Sequence, residues 1–328
     1  MRRALIFGLS AALILLLAVP AFAQGSGKAK FKPLPATGVK LVKKMSLHGP
    51  LAIAKGDAVV KGKPSWAGGG KNKKKGAATG KLGADCTGTK YAILVGISDY
   101  PGVDNDLKYA DDDALAMYQA LTTLYGYDST NIRLLINDPN TGYDVPAPTA
   151  DNIFGAVEDI KGLASSGDEV VFFFSGHGAK GFADDGDKER VDEAIVSFDE
   201  SGNLAYIWDG QLRGWFSGFN TSRIVFVFDS CLSGGMTDLK ADGRVINMAS
   251  TERGYSYESD VWGHGEFTYY FVAQGMLEGQ ADRYDHDGDS LLSEPSDVVD
   301  EEAFDYAAAN CSYDKPTISD EFTNDLIL

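Results

Sequence analysis

Cysteine, basic side chains and long hydrophobic runs are all scarce in this 328-residue chain. Its three cysteines are too few to hold a fold together as a disulfide framework. A single long apolar run, at the N-terminal end, excludes a protein with several membrane spans. Lys and Arg number 30 against 47 acidic residues, and the net charge of −17 argues against nucleic-acid binding by the whole chain. At 44% apolar residues, the composition also excludes a wholly disordered chain.

The charge is divided unevenly along the chain, which indicates three regions. Residues 1–23 begin with Arg2 and Arg3, continue as an apolar stretch and end in Ala-Phe-Ala, the pattern of a secretory signal peptide cut after Ala23. Residues 24–85 carry a net charge of +12, and residues 86–328 carry −31. We therefore expect an exported protein, secreted or periplasmic, without a membrane span once the signal peptide is removed.

Residues 24–85 are rich in Lys, Gly and Ala and show little hydrophobic periodicity. Only residues 51–60 could form a short hairpin. Because such a segment cannot bury a core of its own, we expect it to be disordered or loosely docked on the acidic domain.

Residues 86–328 alternate short apolar runs with amphipathic stretches. The runs that read as buried strands are 91–95, 132–136, 170–174, 194–198, 224–228 and 244–248, and the helical stretches are 107–124, 153–163, 212–219 and 267–277. Apolar strands that alternate with helices predict an α/β fold with a mostly parallel central sheet and helices on both faces.

Two of the apolar strands run directly into reactive residues. Residues 170–174 are followed by Ser-Gly-His177-Gly178, and residues 224–228 by Asp229-Ser-Cys231. Sites in open α/β sheets form beyond the carboxyl ends of the strands, so His177 and Cys231 are expected to face each other there. An imidazole beside a thiol activates it as a nucleophile. Taken alone, each residue has a structural reading: a buried small hydrophobe for the cysteine and a satisfied structural residue for the histidine.

These motifs resemble the caspase/metacaspase superfamily of clan CD cysteine peptidases. The resemblance rests on Tyr91-Ala-Ile-Leu-Val-Gly-Ile-Ser-Asp-Tyr100, Phe174-Ser-Gly-His-Gly178, Phe228-Asp-Ser-Cys231 and the stretch 185–199, and it extends over residues 88–328. It implies a caspase-like three-layer sandwich. It also implies an endopeptidase in which His177 and Cys231 form the catalytic pair and the backbone N–H groups of Gly178 and Cys231 stabilise the oxyanion.

By motif position, the resemblance makes Asp113 and Asp229 candidates for an acidic pocket that binds Arg or Lys before the cut. A domain of net charge −31 favours cationic substrates independently. Asp113 also fits a first-turn helix acid, and Asp229 fits a strand-end residue that caps a turn. Cleavage after Asp or Asn, as in other branches of the superfamily, is the alternative specificity.

Calcium is the expected cofactor, and no organic cofactor is expected. Asp285, Asp287 and Asp289 match the start of an EF-hand loop within residues 285–297, although Ser290 and Ser296 depart from its pattern. A solvated acidic loop is the other reading. The resemblance implies a second calcium site from acids downstream of the dyad, matched here by three aspartates, whereas a fourth position holds Gly210. Those three aspartates are Asp192, Asp209 and Asp238.

The basic segment suggests a tethered substrate of such an enzyme. We expect an inhibitory pro-segment cut near Lys71–Lys81, with a second cut between Lys180 and Arg190; a tether or an anchor to an anionic polymer is the alternative. Cys86 and Cys311 flank the domain and could form a disulfide or stay free. A monomer is expected. The rival from another class is a catalytically silent, calcium-dependent binding module.

Overall fold

The computed structural model describes residues 30–48, 76–137, 143–186 and 189–328. The predicted signal peptide and the hairpin predicted for residues 51–60 lie outside these ranges. Within them, no helix is long and apolar enough to cross a membrane.

The strands and helices alternate along most of the chain, as the sequence predicts. The strands are β1 (Ala36–Val42), β2 (Met45–Leu47), β3 (Lys90–Gly96), β4 (Ile132–Ile136), β5 (Glu169–Ser175), β6 (Gly178–Ala183), β7 (Asp192–Phe198), β8 (Leu204–Trp208), β9 (Ile224–Asp229), β10 (Arg244–Met248), β11 (Tyr257–Ser259), β12 (His264–Gly265) and β13 (Thr317–Asp320). The helices are α1 (Ala110–Thr123), α2 (Ala150–Leu163), α3 (Asp209–Phe216), α4 (Glu266–Thr268, continued as a π-helix over Tyr269–Leu277) and α5 (Asp300–Asn310).

A six-stranded sheet forms the centre of the molecule, in the order β13-β10-β9-β5-β3-β4. All neighbouring pairs are parallel except β10 and β13. The strands β5 and β9 are direct neighbours, with Ser175 opposite Asp229 at their carboxyl ends. The segments that follow these two strands therefore leave the sheet side by side.

Helices cover both faces of this sheet because its apolar strands present alternate side chains to each face. Phe172 and Phe174 of β5 pack in the same apolar cluster as residues of α2 and α3. Val171 and Phe173 pack in the opposite cluster, with residues of α1, the π-helix and α5. The predicted three-layer α/β sandwich is confirmed.

Two smaller sheets flank the carboxyl edge of the central one. The first is antiparallel, in the order β1-β6-β7-β8, and the second has the order β12-β11-β2. The strand predicted at residues 194–198 therefore exists as β7 but does not join the parallel sheet. A hairpin with β6 brings it back antiparallel, since two strands joined by a short loop cannot pair in parallel.

The expectation of a loosely docked basic segment is wrong for residues 36–47. Strand β1 pairs with the edge of β6, and β2 pairs with the edge of β11. The segment needs no core of its own, because its backbone hydrogen bonds are completed by strand edges that the folded domain supplies.

The folded domain also begins earlier than Cys86. Backbone N–H groups of Ala77 and Ala78 donate to the carboxylate of Asp305, and those of Thr79, Gly80 and Lys81 donate to that of Asp325. Residues 77–81 are therefore fixed to the C-terminal part of the domain by two buried carboxylates.

Cys86, Cys231 and Cys311 are free thiols. Cys86 Sγ lies 3.5 Å from the carbonyl of Gly167, just before the amino end of β5. Cys311 Sγ contacts the carbonyl of Glu266, beyond the carboxyl edge of the sheet. The possible disulfide between Cys86 and Cys311 is not formed, because the two thiols lie at opposite ends of the central strands.

Candidate active site

His177 and Cys231 lie next to each other at the carboxyl edge of the central sheet, as predicted. Each follows its strand by two residues, His177 after β5 and Cys231 after β9. The backbone between them is tightly packed, since a Cβ on Gly178 would lie 2.1 Å from the carbonyl oxygen of Cys231. Only glycine fits at that position.

The imidazole of His177 is held on three sides. Its ring stacks on Tyr100 with centroids 4.6 Å apart, and the Tyr100 hydroxyl accepts the His177 backbone N–H at 3.0 Å. Nε2 lies 2.7 Å from the carbonyl oxygen of Asn105, and Nδ1 accepts the backbone N–H of Lys44 at 2.9 Å. These two partners assign the proton to Nε2. Burial lowers the pKa of His177 to about 4, against the opposing effect of the Asn105 carbonyl.

The thiol of Cys231 is equally enclosed, with 1% of the residue exposed. Sγ lies 3.2 Å from the carbonyl oxygen of Lys43 and accepts the backbone N–H of Ser256 at 3.2 Å. Burial raises the pKa of the thiol to about 12, although the Ser256 N–H acts in the other direction. In this arrangement the pair is a neutral thiol and a neutral imidazole.

An acidic pocket beside the dyad contains the fully buried side chain of Lys44. Its ammonium lies 2.8 Å from Asp229 Oδ1, 3.3 Å from Asp113 Oδ2 and 3.0 Å from the hydroxyl of Ser175. Burial alone would lower the pKa of Lys44, but the charges of Asp229 and Asp113 outweigh it and the pKa is raised. The two predicted pocket acids thus converge on one cation.

Asp113 is held in its charged form by the groups around it. Its Oδ1 accepts the backbone N–H of Gly265 at 3.0 Å and lies 3.0 Å from His264 Nδ1, and its Oδ2 accepts the Ser175 hydroxyl. Burial opposes ionisation of Asp113, yet the Lys44 ammonium and His264 keep its pKa below the ordinary value. Burial likewise opposes protonation of His264, but Asp113 raises its pKa.

Asp229 is fixed by bonds that leave one oxygen directed at the cation. The hydroxyl of Ser256 donates to Oδ1, and both the N–H and the hydroxyl of Thr268 donate to Oδ2. A Cβ on Gly265 would lie 2.3 Å from Asp229 Oδ2 and 2.5 Å from the Lys44 ammonium. This glycine therefore leaves the space in which the ammonium sits.

Several pocket and dyad neighbours were not found by sequence reasoning. Ser175 could have been found, because it directly precedes the Gly-His-Gly turn. Lys44 and His264 carry no local signal, since each reaches the site only through strand pairing far along the chain. The set is Lys44, Tyr100, Asn105, Ser175, Ser256 and His264.

A second group of carboxylates lies beside the loop that follows Cys231. Ligand oxygens of Glu189, Glu193 and Asp209 converge within 4.8 Å of one another. Asp209 was predicted here, whereas Glu189 and Glu193 were missed. Burial and neighbouring acids raise the pKa of Asp209 to about 9 and that of Glu193 to about 8. Their buried oxygens Asp209 Oδ2 and Glu193 Oε2 receive no hydrogen bond from the described residues.

The other two acids of that prediction are not among the three converging residues, although the charge of Asp238 contributes to the raised pKa of Asp209. Asp192 Oδ2 accepts the backbone N–H of Ala183 at 2.7 Å, which closes the β6–β7 hairpin. Asp238 forms an ion pair with Arg213 at 2.5 Å. Asp192 and Glu193 are consecutive on β7 and so project to opposite faces of it.

The acids predicted as calcium ligands in the loop at residues 285–289 lie close together. Ligand oxygens of Asp285, Asp287 and Asp289 also converge within 4.8 Å, and all three residues are exposed. Backbone N–H groups within the loop already donate to these carboxylates, from Gly288 and Ser290 to Asp285.

Comparisons with known proteins find similarity to metacaspases. Residues 90–240, which include the dyad and both pocket acids, match the family model described as metacaspase, peptidase C14 domain. Metacaspase-4 of Arabidopsis thaliana is 35% identical over 153 residues, or 46% of this chain and 35% of that protein. Metacaspase-1 of Kluyveromyces lactis is 34% identical over 160 residues, covering 48% and 36%.

Metacaspase III c of Phaeodactylum tricornutum is 31% identical over 176 residues, covering 51% of this chain and 50% of that protein. The chain thus spans between a third and a half of the length of these relatives. A crystal structure of a Geobacter sulfurreducens protein covers 71% of this chain and 93% of its own, with 14% identity and a TM-score of 0.49, too distant a likeness to add to the comparison.

Proposed function

We propose that this protein is a cysteine endopeptidase of the metacaspase type that cuts after Arg or Lys; the match of residues 90–240 to the metacaspase, peptidase C14 family model supports the peptidase class. One observation supports the specificity above all others. The chain's own Lys44 is buried with its ammonium between Asp113 and Asp229. A substrate's Lys or Arg would meet the same two charges there.

The proposed reaction uses the dyad as the sequence predicts. With the pocket open to solvent, the burial that keeps the thiol and imidazole neutral is relieved, and proton transfer from Cys231 to His177 becomes accessible. The thiolate attacks the substrate carbonyl, and the backbone N–H groups of Gly178 and Cys231 stabilise the oxyanion. His177 donates its proton to the leaving amine as the C–N bond breaks. Water then hydrolyses the thioester and restores the thiol.

We propose calcium as the regulatory ion, held by Glu189, Glu193 and Asp209. A hard divalent cation suits carboxylate oxygens, and it would neutralise acids whose pKa burial has raised. Glu193 also packs against Gly235, four residues after Cys231, where a Cβ would lie 2.3 Å from its Oε2. Neutralising this group would therefore stabilise the loop that carries the nucleophile. The exposed loop Asp285–Asp289 remains a second candidate.

We also propose self-processing, at two cleavage positions that lie within the ranges expected from the sequence. Lys81 is bound through its backbone to Asp325, and Lys180 lies within β6, paired on both sides. Cleavage at either would require local unfolding. We therefore place the first cut at residues 71–75 and the second at 184–190. We further propose that the protein is exported after removal of residues 1–23, acts on proteins or peptides and is a monomer.

A panel of matched fluorogenic peptides ending in Arg, Lys, Asp or Asn tests the function. Each would be measured with calcium and with chelator, beside Cys231→Ala as the inactive control. Calcium-dependent hydrolysis after Arg or Lys, absent in Cys231→Ala, is the expected result. Cysteine-dependent hydrolysis after Asp or Asn would refute the pocket assignment. No hydrolysis of any peptide, with calcium present and an unreactive Cys231, would favour a binding module.

A further inference from the structure

Residues 36–47 cross the active site as one continuous strand-turn-strand segment. Strand β1 lies antiparallel on β6, with Val42 opposite Gly178 beside the dyad. Lys44 enters the acidic pocket, and β2 then runs parallel to β11, with Met45 opposite Tyr257. The segment therefore occupies both strand edges that border the catalytic pair.

The peptide bond that lies at the dyad joins Lys43 to Lys44. Cys231 Sγ lies 3.2 Å from the carbonyl oxygen of Lys43, and the N–H of Lys44 donates to His177 Nδ1 at 2.9 Å. The acyl half of this bond thus belongs to Lys43. The side chain of Lys43 is exposed, and its ammonium donates a hydrogen bond to the backbone carbonyl of Asp104. The amine half belongs to the lysine in the pocket.

Cleavage after a lysine bound in the acidic pocket requires the opposite order of the acyl and amine halves. In a substrate, the attacked carbonyl belongs to the residue in the pocket, and the residues after the cut lie on the far side of the dyad, along β6. Here the residues after the pocketed lysine lie along β11. We propose that residues 36–47 form a built-in inhibitor, bound in the direction opposite to that of a substrate and not cut at Lys44. The reversed direction rests on the proposed preference for Arg or Lys, whereas the covering of the dyad by this segment does not.

The contacts of the dyad explain why the bound segment stays intact. The lone pair of His177 Nδ1 accepts the Lys44 N–H, so it is not available to take the proton of the thiol. The thiol faces the carbonyl oxygen of Lys43, where its proton forms a hydrogen bond. A neutral imidazole has no proton on Nδ1 to donate to the Lys44 nitrogen. The peptide thus separates the nucleophile from its base.

The test compares the full-length chain with Lys44→Met, Lys44→Arg and Lys40→Met. Alkylation of Cys231 by iodoacetamide, followed by peptide mapping, reports how well the thiol is covered and does not depend on turnover of any substrate. Removing a cation from between two buried carboxylates should speed alkylation by at least about tenfold in Lys44→Met. Lys44→Arg keeps the charge and should stay slow, and Lys40→Met, which makes the same change at an exposed position of β1, should match the wild type.

Intact-mass spectra of the wild type incubated with calcium supply the second readout. We expect no fragment that ends at Lys43 or Lys44. A cut at either bond would overturn the reversed orientation, and equal alkylation rates in the wild type and Lys44→Met would overturn the inhibitor itself. If alkylation behaves as expected but the peptide panel shows no hydrolysis after Arg or Lys, then the specificity proposal is at fault and the inhibitory segment stands.

Discussion

Replacing Asp113 with asparagine should remove most of the preference for Arg and Lys without disturbing the nucleophile. The variant is best made in the Lys44→Met chain. There the inhibitory segment is already weakly bound, so a further loss of its binding in Asp113→Asn does not obscure the effect on substrates. The new amide side chain is polar and has the same shape, so the bonds to Ser175 and Gly265 can be retained while the charge is lost.

The magnitude follows from the geometry of the ammonium. Lys44 Nζ lies 3.3 Å from Asp113 Oδ2, and two unit charges about 4 Å apart interact by roughly 4 kcal/mol at an effective dielectric constant of about 20. Asp229 remains and the amide dipole replaces part of the interaction, which reduces the expected loss to about 2–3 kcal/mol. That corresponds to roughly a 30–150-fold lower kcat/KM for peptides ending in Arg or Lys.

The assay compares peptides that end in Arg with otherwise identical peptides that end in norleucine, which has no charge. Only the Arg peptides should lose activity, and the rate of Cys231 alkylation should stay unchanged. Asp112→Asn, which makes the same charge change one residue away on α1, is the matched control. An equal loss for both peptides, or a loss for Arg below about threefold, would refute the pocket assignment.

Three further predictions concern other parts of the molecule. Asp209→Asn should abolish the calcium-induced rise in melting temperature, measured against chelator, while Asp238→Asn should keep it because Asp238 is paired with Arg213 and is not one of the three converging acids. Burial raises the pKa of Asp300 from 3.8 to about 7, so its contribution to stability is complete at acid pH and is lost as pH rises through neutrality. Between pH 5 and 8 the urea-measured free energy of unfolding should fall by roughly 2–3 kcal/mol more in the wild type than in Asp300→Asn. Tyr100→Phe removes the hydroxyl that accepts the His177 N–H but keeps the stacked ring; it should lower kcat about 3–10-fold at unchanged KM.

The fold and the dyad could be predicted because their signals are local. The runs at residues 170–174 and 224–228 are wholly apolar and lie within β5 and β9, since a strand buried on both faces presents all of its side chains to apolar layers. His177 and Cys231 come together because each directly follows one of two neighbouring parallel strands.

The remainder of the site depends on pairing over long distances in the sequence. Nothing within residues 36–47 predicts strands, because the partner edges belong to β6 and β11, more than a hundred residues away. The carboxylate group shows a different limit. Consecutive residues of β7 project to opposite faces, so a difference of one position decides which acid joins the group. Glu193 belongs to it, and Asp192 does not.

The pairing of β1 and β2 has a consequence for the solution behaviour of any form of the protein that has lost them. Without these strands, the sheet β6-β7-β8 ends at the six-residue strand β6, and β11 is left unpaired on one side. Unpaired strand edges are templates for adding foreign strands, which leads to aggregation or domain swapping. The segment that covers the active site therefore also protects the molecule from self-association. Its removal exposes the unpaired edges of β6 and β11 together with Cys231.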